Sequence, residues 1–219
     1  MQYHRLLFGA LFFAGICLLF LHKELFVYFI GPAHMADAPF YPFLDMHGRL
    51  AAFEAHRQGI DVLHYPNPLD PMHRASVKPT WPLALSFLGL GPQHLVVAGA
   101  SAVVAFICVT LTYLKPVNLK QVALYCILCF SPPVILGVER ANDDLVYFCL
   151  LALVPLCLKR SSLLGYWLAW LVIFLLAPAK YYPGAVFLVL LAEVKDWRQL
   201  GLLLGAGACF VAVYARFNI

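Results

Sequence analysis

The sequence predicts an all-α, polytopic membrane protein with about seven transmembrane helices. Apolar residues make up 63% of the 219 and charged residues only 12%, whereas a soluble domain carries about a quarter charged residues. The mean hydropathy is +0.83, and long apolar stretches recur along the chain without a single charge inside them. At about 20 residues per span the length leaves no room for a large soluble domain, so residues 1–219 are read as a single integral membrane domain. Such a composition excludes a disordered chain. The net charge of +4, from 15 basic and 11 acidic residues, is read as a topology signal rather than a nucleic-acid footprint, and no nucleic-acid partner is expected.

Leu6 to Leu21 is apolar and, after His22-Lys23-Glu24, the apolar character resumes to Ile30. No small-x-small site follows Leu21 directly, so an uncleaved first span is expected rather than a signal peptide. Residues 31–80 form the one long polar segment. Within it Met46, Leu50 and Phe53 recur at helical spacing opposite Arg49, Glu54 and His56, which predicts an amphipathic interfacial helix near 46–58, with Asp45 before it and Gly59 after it as end signals. Prolines 66, 68, 71, 79 and 82 keep the return to the membrane extended. Trp81 to Leu90 is too short to cross and predicts a re-entrant or short helix. Further spans are expected at 95–114, 122–138, 145–158, 163–178, 184–192 and 200–214. The positive-inside rule then places the N-terminus with Arg5, Lys115, Lys120, Lys159, Arg160, Lys195 and Arg198 in the cytoplasm, and residues 31–80, Glu139 to Asp144 and Lys180 on the outer side.

Three polar clusters on that outer side are candidates for chemistry. Asp45 suits a helix N-cap with an i, i+4 partner in Arg49, and equally a general base held at a helix start and able to take a proton from an acceptor hydroxyl. Glu139-Arg140-Ala141-Asn142-Asp143-Asp144 has the composition of a solvated turn. Yet capping explains only one of Asn142 and Asp144, and Arg140 offers a two-pronged fork suited to phosphate. Lys180-Tyr181-Tyr182-Pro183 reads as a snorkelling and aromatic-belt anchor, or as a site where Lys180 meets a lipid-linked phosphate at headgroup level. Five of the eight histidines (His34, His47, His56, His64, His73) lie in the outer segment at irregular spacing, so no metal site is expected. All seven cysteines fall in apolar stretches and imply neither disulfides nor zinc, the Cys126-x-x-Cys129 pair included. Gly201 and Gly205 form a G-x-x-x-G in the last span.

Taken together, these stretches resemble the glycosyltransferase family 87 membrane proteins of the GT-C superfamily, the polyprenyl-phosphate-mannose-dependent mannosyltransferases. Asp45, Ala51-Ala52, Gly59, Asp61 and Tyr65-Pro66 look like that family's first outer loop, and Lys78-Pro79-Thr80-Trp81-Pro82-Leu83 like its proline-led helix start. Its E-R-G-N-x-D motif looks like Glu139, Arg140, Asn142 and Asp144, with Ala141 in place of the glycine, and its K-x-Y-P like Lys180, Tyr182 and Pro183. The similarity runs from about residue 40 to 200 and rests on order and spacing. Members of the family usually have about twice as many spans as this chain is expected to have.

What the resemblance implies is an inverting transfer of a hexose such as mannose from a polyprenyl-phosphate sugar to a lipid or glycan hydroxyl, on the outer face of a bacterial inner membrane. Asp45 would be the base. Lys180 and Arg140 would stabilise the leaving phosphate, and Glu139, Asn142, Asp144 and Tyr182 would help bind or orient substrate, with no cofactor and no metal. The alternative is a non-catalytic or truncated membrane subunit that binds a lipid carrier or a second membrane polypeptide. A transporter would show repeated halves and charges near the midplane; the charges here sit at the ends of apolar stretches.

Overall fold

The computed structural model describes residues 2–22, 24–30, 42–75, 81–159, 163–177, 191–192, 194 and 196–218. All regular structure among them is helical. Two helical stretches, Gln2–Leu21 and Pro92–Tyr113, are long and apolar enough to cross a membrane. A third apolar pair, Leu119–Cys129 and Pro132–Arg140, is bent by 55°. The chain packs as two compact units, one of residues 1–47 with 93–146, the other of residues 48–92 with 147–219.

The expectation of about seven spans is not met among the described residues, and the sequence explains each break. The apolar run from 6 to 30 is two helices, α1 (Gln2–Leu21) and α2 (Glu24–Ile30), interrupted where His22 pairs with Glu24 at 3.2 Å. The run 122–138 is divided into α5 (Leu119–Cys129) and α6 (Pro132–Arg140). Pro132 has no N–H to give to the Leu128 carbonyl, and the hydroxyl of Ser131 donates to that oxygen instead at 2.7 Å. The run 145–158 becomes α7 (Asp143–Leu151) and α8 (Leu153–Lys159), broken just where Pro155 would leave the carbonyl of Leu151 without its i+4 donor. The stretch from 184 to 192 falls mostly outside the described residues.

In the first unit α1 packs on α4 (Leu95–Tyr113), α5 and α2, and α2 packs on α6. Phe12 meets Phe106 of α4 with ring centroids 6.2 Å apart, and a Cβ on Gly9 would lie 3.7 Å from Leu111, so α1 and α4 run in opposite directions. Phe8 meets Tyr125 at 5.9 Å and Phe12 meets Phe130 at 5.8 Å, so α5 runs with α1. The N-terminus of α5 is closed by Asn118, whose side chain accepts from the Gln121 N–H at 2.9 Å. One end of this packing therefore gathers the start of α1, the end of α4 and the start of α5, with Arg5, Lys115 and Lys120. The other end gathers the end of α1 and the start of α4, where Phe43 sits against both Phe20 and Gly99.

In the second unit α8 and α9 (Leu163–Leu176) pack together with α10 (Trp197–Asn218) around Val154, Tyr166, Ala169, Ile173 and Leu203. Rings continue along α9, Trp170 stacking on Phe174 at 5.0 Å and Phe174 meeting Phe210 of α10 at 5.9 Å. The unit also holds most of α3 (Leu44–Arg57) and the 3-10 helix Trp81–Leu88. The former begins two residues before the expected start. It ends in a Schellman closure: Gly59 at φ 74°, its N–H on the His56 carbonyl, and the Ile60 N–H on that of Ala55.

Gly99 lets Phe43 approach the backbone of α4: a Cβ there would stand 2.3 Å from the ring. Alanine at 99 gains about 1 kcal/mol of helix propensity and loses about 1–3 kcal/mol to overpacking. The expected outcome is a lower melting temperature for Gly99→Ala in detergent, with Phe43→Ala non-additive in the double mutant because the clash is gone. Additive changes would remove the contact from the account.

Candidate functional site

The amide of Asn142 joins two distant parts of the first unit. Its Nδ2 donates to Asp45 Oδ2 at 2.8 Å, and its Oδ1 accepts from the Asp144 N–H at 2.9 Å. The second bond makes Asn142 the N-cap of α7, and the first places an N–H of its amide on a carboxylate 97 residues away in the chain. A backbone bond lies beside it, from the Phe43 N–H to the Glu139 carbonyl at 2.8 Å.

Local sequence explains why Asn142 is aimed this way. Helix α6 ends with Ala141 in the left-handed region at φ 44°, its N–H on the Val138 carbonyl at 3.3 Å, while the Asn142 N–H reaches the Gly137 carbonyl at 3.0 Å. That is a Schellman closure whose left-handed position favours glycine, and it is the position where this chain has alanine in the E-R-x-N-x-D pattern. Two residues, Ala141 and Asn142, thus connect two helices. The cluster is not a solvated turn: Glu139 and Ala141 are buried, and Arg140, Asn142, Asp143 and Asp144 are half-buried.

Asp45 is half-buried in the first turn of α3. The N-cap position expected for it belongs to Phe43, whose carbonyl accepts the His47 N–H at 2.8 Å. The carboxylate stands one residue inside the helix start, in the first turn, where the helix dipole favours negative charge. The hydrogen bond from Asn142 to one carboxylate oxygen orients the group. Chemically, this is an oriented, partly exposed carboxyl group one hydrogen bond from the E-R-x-N-x-D turn.

This chain matches no protein-family model, no curated protein and no solved structure. The likeness to family 87 therefore stands on its motifs. Of the predicted site residues, Asp45, Glu139, Arg140, Asn142 and Asp144 lie in one unit, with Asp45 bonded directly to Asn142. Lys180 and Tyr182 lie outside the described residues. No group of three or more His, Cys, Asp or Glu among the described residues is placed to hold a metal ion.

Sequence reasoning passed over a second polar knot, in the other unit. Asp70 is only 2% exposed. It accepts from Arg74 Nε at 2.8 Å and Nη2 at 3.2 Å, and from the Arg74 N–H at 3.0 Å. Asn67, also buried, closes the loop through its N–H on the Arg74 carbonyl at 3.2 Å. The guanidinium lies against α3 at Gly48, where a Cβ would come within 2.6 Å of it. The available signal was the D-x-x-x-R spacing of Asp70 and Arg74. Burial raises the Asp70 carboxyl, but the Arg74 guanidinium and the N–H bonds outweigh it and hold the group below the usual carboxylate range. Asp61, by contrast, is surface chemistry: its carboxyl is lowered by the His64 ring at 2.8 Å and by the N–H groups of Leu63 and His64.

Replacing Asn142 with alanine removes a cap and the donor to Asp45, an expected loss of about 2 kcal/mol. Asn142→Asp keeps the cap but sets two carboxylates face to face. Denaturation of that variant in detergent is expected to show destabilisation at pH 7 that is relieved on acidification, and pH-independent stability would contradict the Asp45 contact.

For Asp70, whose folded pKa lies below its unfolded value near 3.9, the stabilisation is complete above about pH 4 and lost as pH falls through the folded value. Limited proteolysis of the 60–75 loop should show protection at pH 5 that opens below pH 4. In Asp70→Asn the loop should be open at both.

Proposed function

We propose that this chain is a GT-C-like membrane glycosyltransferase that moves a hexose, such as mannose, from a polyprenyl-phosphate sugar to the hydroxyl of a lipid or glycan acceptor, with inversion. The observation that carries the proposal is the 2.8 Å bond from Asn142 to Asp45: two of the motifs on which the family resemblance rests meet at one carboxylate. Asp45 takes the proton of the acceptor hydroxyl as its oxygen attacks the anomeric carbon from the side opposite the phosphate. Polyprenyl phosphate then leaves as a stable anion, so no general acid is required. Arg140 and Lys180 are assigned to that anion, and Glu139, Asp144 and Tyr182 to substrate orientation.

Sidedness supports the same proposal. Arg5, Lys115 and Lys120 gather at one end of the α1–α4 pair, while Phe43, two residues before Asp45, packs at the other against Phe20 and Gly99. Arg5 and Phe20 are 15 positions apart in one helix, roughly 22 Å at 1.5 Å per residue. With the basic end cytoplasmic, Asp45 faces the non-cytoplasmic leaflet of a bacterial inner membrane, where lipid-linked sugars of this kind are used. Multi-pass insertion with about seven crossings belongs to the same proposal, several of the crossings being made by broken helix pairs.

One observation favours the second reading, a non-catalytic subunit that binds a lipid carrier or a partner polypeptide. The bond that orients Asp45 also occupies it, so the carboxylate could serve as a strut alone. Asp45→Asn separates the two, since the new amide oxygen still accepts from Asn142 but takes no proton. In proteoliposomes supplied with polyprenyl-phosphate mannose and an acceptor, transfer is expected to fall at least about 100-fold with the melting temperature nearly unchanged, while Asp45→Ala loses both. Retained transfer in Asp45→Asn would leave the strut, and carrier binding without turnover by the native protein would favour the subunit.

A further inference from the structure

The 3-10 helix Trp81–Leu88 is inside out for an element facing water. Its one polar side chain, Ser86, is buried, as are Pro82 and Leu83, while Ala84, Leu85, Phe87 and Leu88 are exposed. Phe87 is 76% and Leu88 53% exposed. No charged residue occurs from 81 to 93. In water this face would be a liability; against acyl chains it is the expected arrangement.

A backbone in lipid must also find partners for its carbonyls, each unsatisfied group costing several kcal/mol. The end of this helix is where the shortage arises, since its last carbonyls lack donors within the helix. Arg57, in the last turn of α3, answers it: Nη1 donates to the Ser86 carbonyl at 2.9 Å and to the Leu90 carbonyl at 2.8 Å. Its Nη2 is paired with Glu54, whose carboxyl also accepts from Gln58 at 2.8 Å. Those bonds, Gln58 foremost and then Arg57, hold the Glu54 carboxyl below its ordinary range, so the guanidinium is matched by a charge. The Gly89 N–H completes the closure on the Ser86 carbonyl at 3.1 Å, with Gly89 at φ 72°.

We infer that Trp81–Leu88 is a lipid-inserted element, with Leu85, Phe87 and Leu88 in the acyl region of one leaflet and Arg57 at the headgroup boundary capping the backbone that would otherwise forbid its entry. The occupant is lipid rather than a protein partner because of what the chain does next. The apolar helical stretch long enough to span begins at Pro92, four residues beyond Leu88, a reach of at most about 14 Å. That short tether keeps the apolar face within reach of the chain's entry into an apolar stretch. Long cationic side chains at this depth keep their charge in the interface while their stems lie along apolar surface. The inference is independent of sugar transfer and survives if that proposal fails.

The test places benzoylphenylalanine at 87 and, separately, a spin label at 88 in a cysteine-free background, both reconstituted in phosphatidylethanolamine–phosphatidylglycerol vesicles, with His64 as the exposed control position. Photolysis is expected to yield phospholipid adducts at 87 and none at 64. The label at 88 should be several-fold more accessible to oxygen than to an aqueous nickel chelate, relative to 64. Adducts only to protein, or a chelate-accessible label, would overturn insertion. In Arg57→Ala the label at 88 should shift toward the aqueous side, and an unchanged depth would overturn the capping role. Because the adduct at 87 is read in the native background, the inference stays falsifiable if the cysteine-free protein does not fold.

Discussion

One side-chain amide ties together two distant segments at the polar end of the first unit. Asn142 has an acceptor and donors at fixed geometry, and it uses one of each: the acceptor on the first turn of α7, the donor on Asp45. No other short side chain does both. Aspartate caps but cannot donate when ionised, serine caps but does not reach, and alanine does neither. The position of the carboxylate proposed as a base is thus tied to the same group that starts a helix. That group is aimed by a left-handed residue, Ala141, at the end of the preceding helix.

Around that contact, the constraint that shapes the chain is the scarcity of donors in an apolar environment. Two interruptions of an apolar run have a partner or a charge beside them, Ser131 at Pro132 and the His22–Glu24 pair at the end of α1. The hydroxyl of Ser131 takes the carbonyl that Pro132 abandons, and Arg57 takes two carbonyls at the end of Trp81–Leu88. Broken helices are tolerable only on these terms, which is why the breaks coincide with Pro132, Pro155 and the His22–Glu24 pair rather than with loss of hydrophobicity.

The all-α class was legible from composition, and the amphipathic helix from the spacing of Met46, Leu50 and Phe53, which are buried as that spacing requires. The closeness of Asp45 to the Glu139–Asp144 turn was legible only through the order of motifs. Fewer unbroken spanning helices occur among the described residues than hydropathy suggests because hydropathy averages over a proline: Val122 to Val138 has no charge, yet its axis turns by 55°. Asp45 was misassigned as an N-cap because a short acidic side chain before an apolar stripe is the usual cap signal. The backbone instead enters the helix through Phe43 at φ 63°, a strained position for that residue that Gly99 makes room for.

By itself the sequence determined where the chain is apolar, where prolines forbid a continuous ladder of hydrogen bonds, and which ends carry basic charge. Each is a property of residue type and near neighbours. Tertiary structure alone decided that Asn142 turns its donor toward Asp45, that Glu139 is buried rather than solvated, and that the polar face of Trp81–Leu88 points inward. These depend on groups far apart along the chain competing for the same few donors and the same space, and that competition has no local signature.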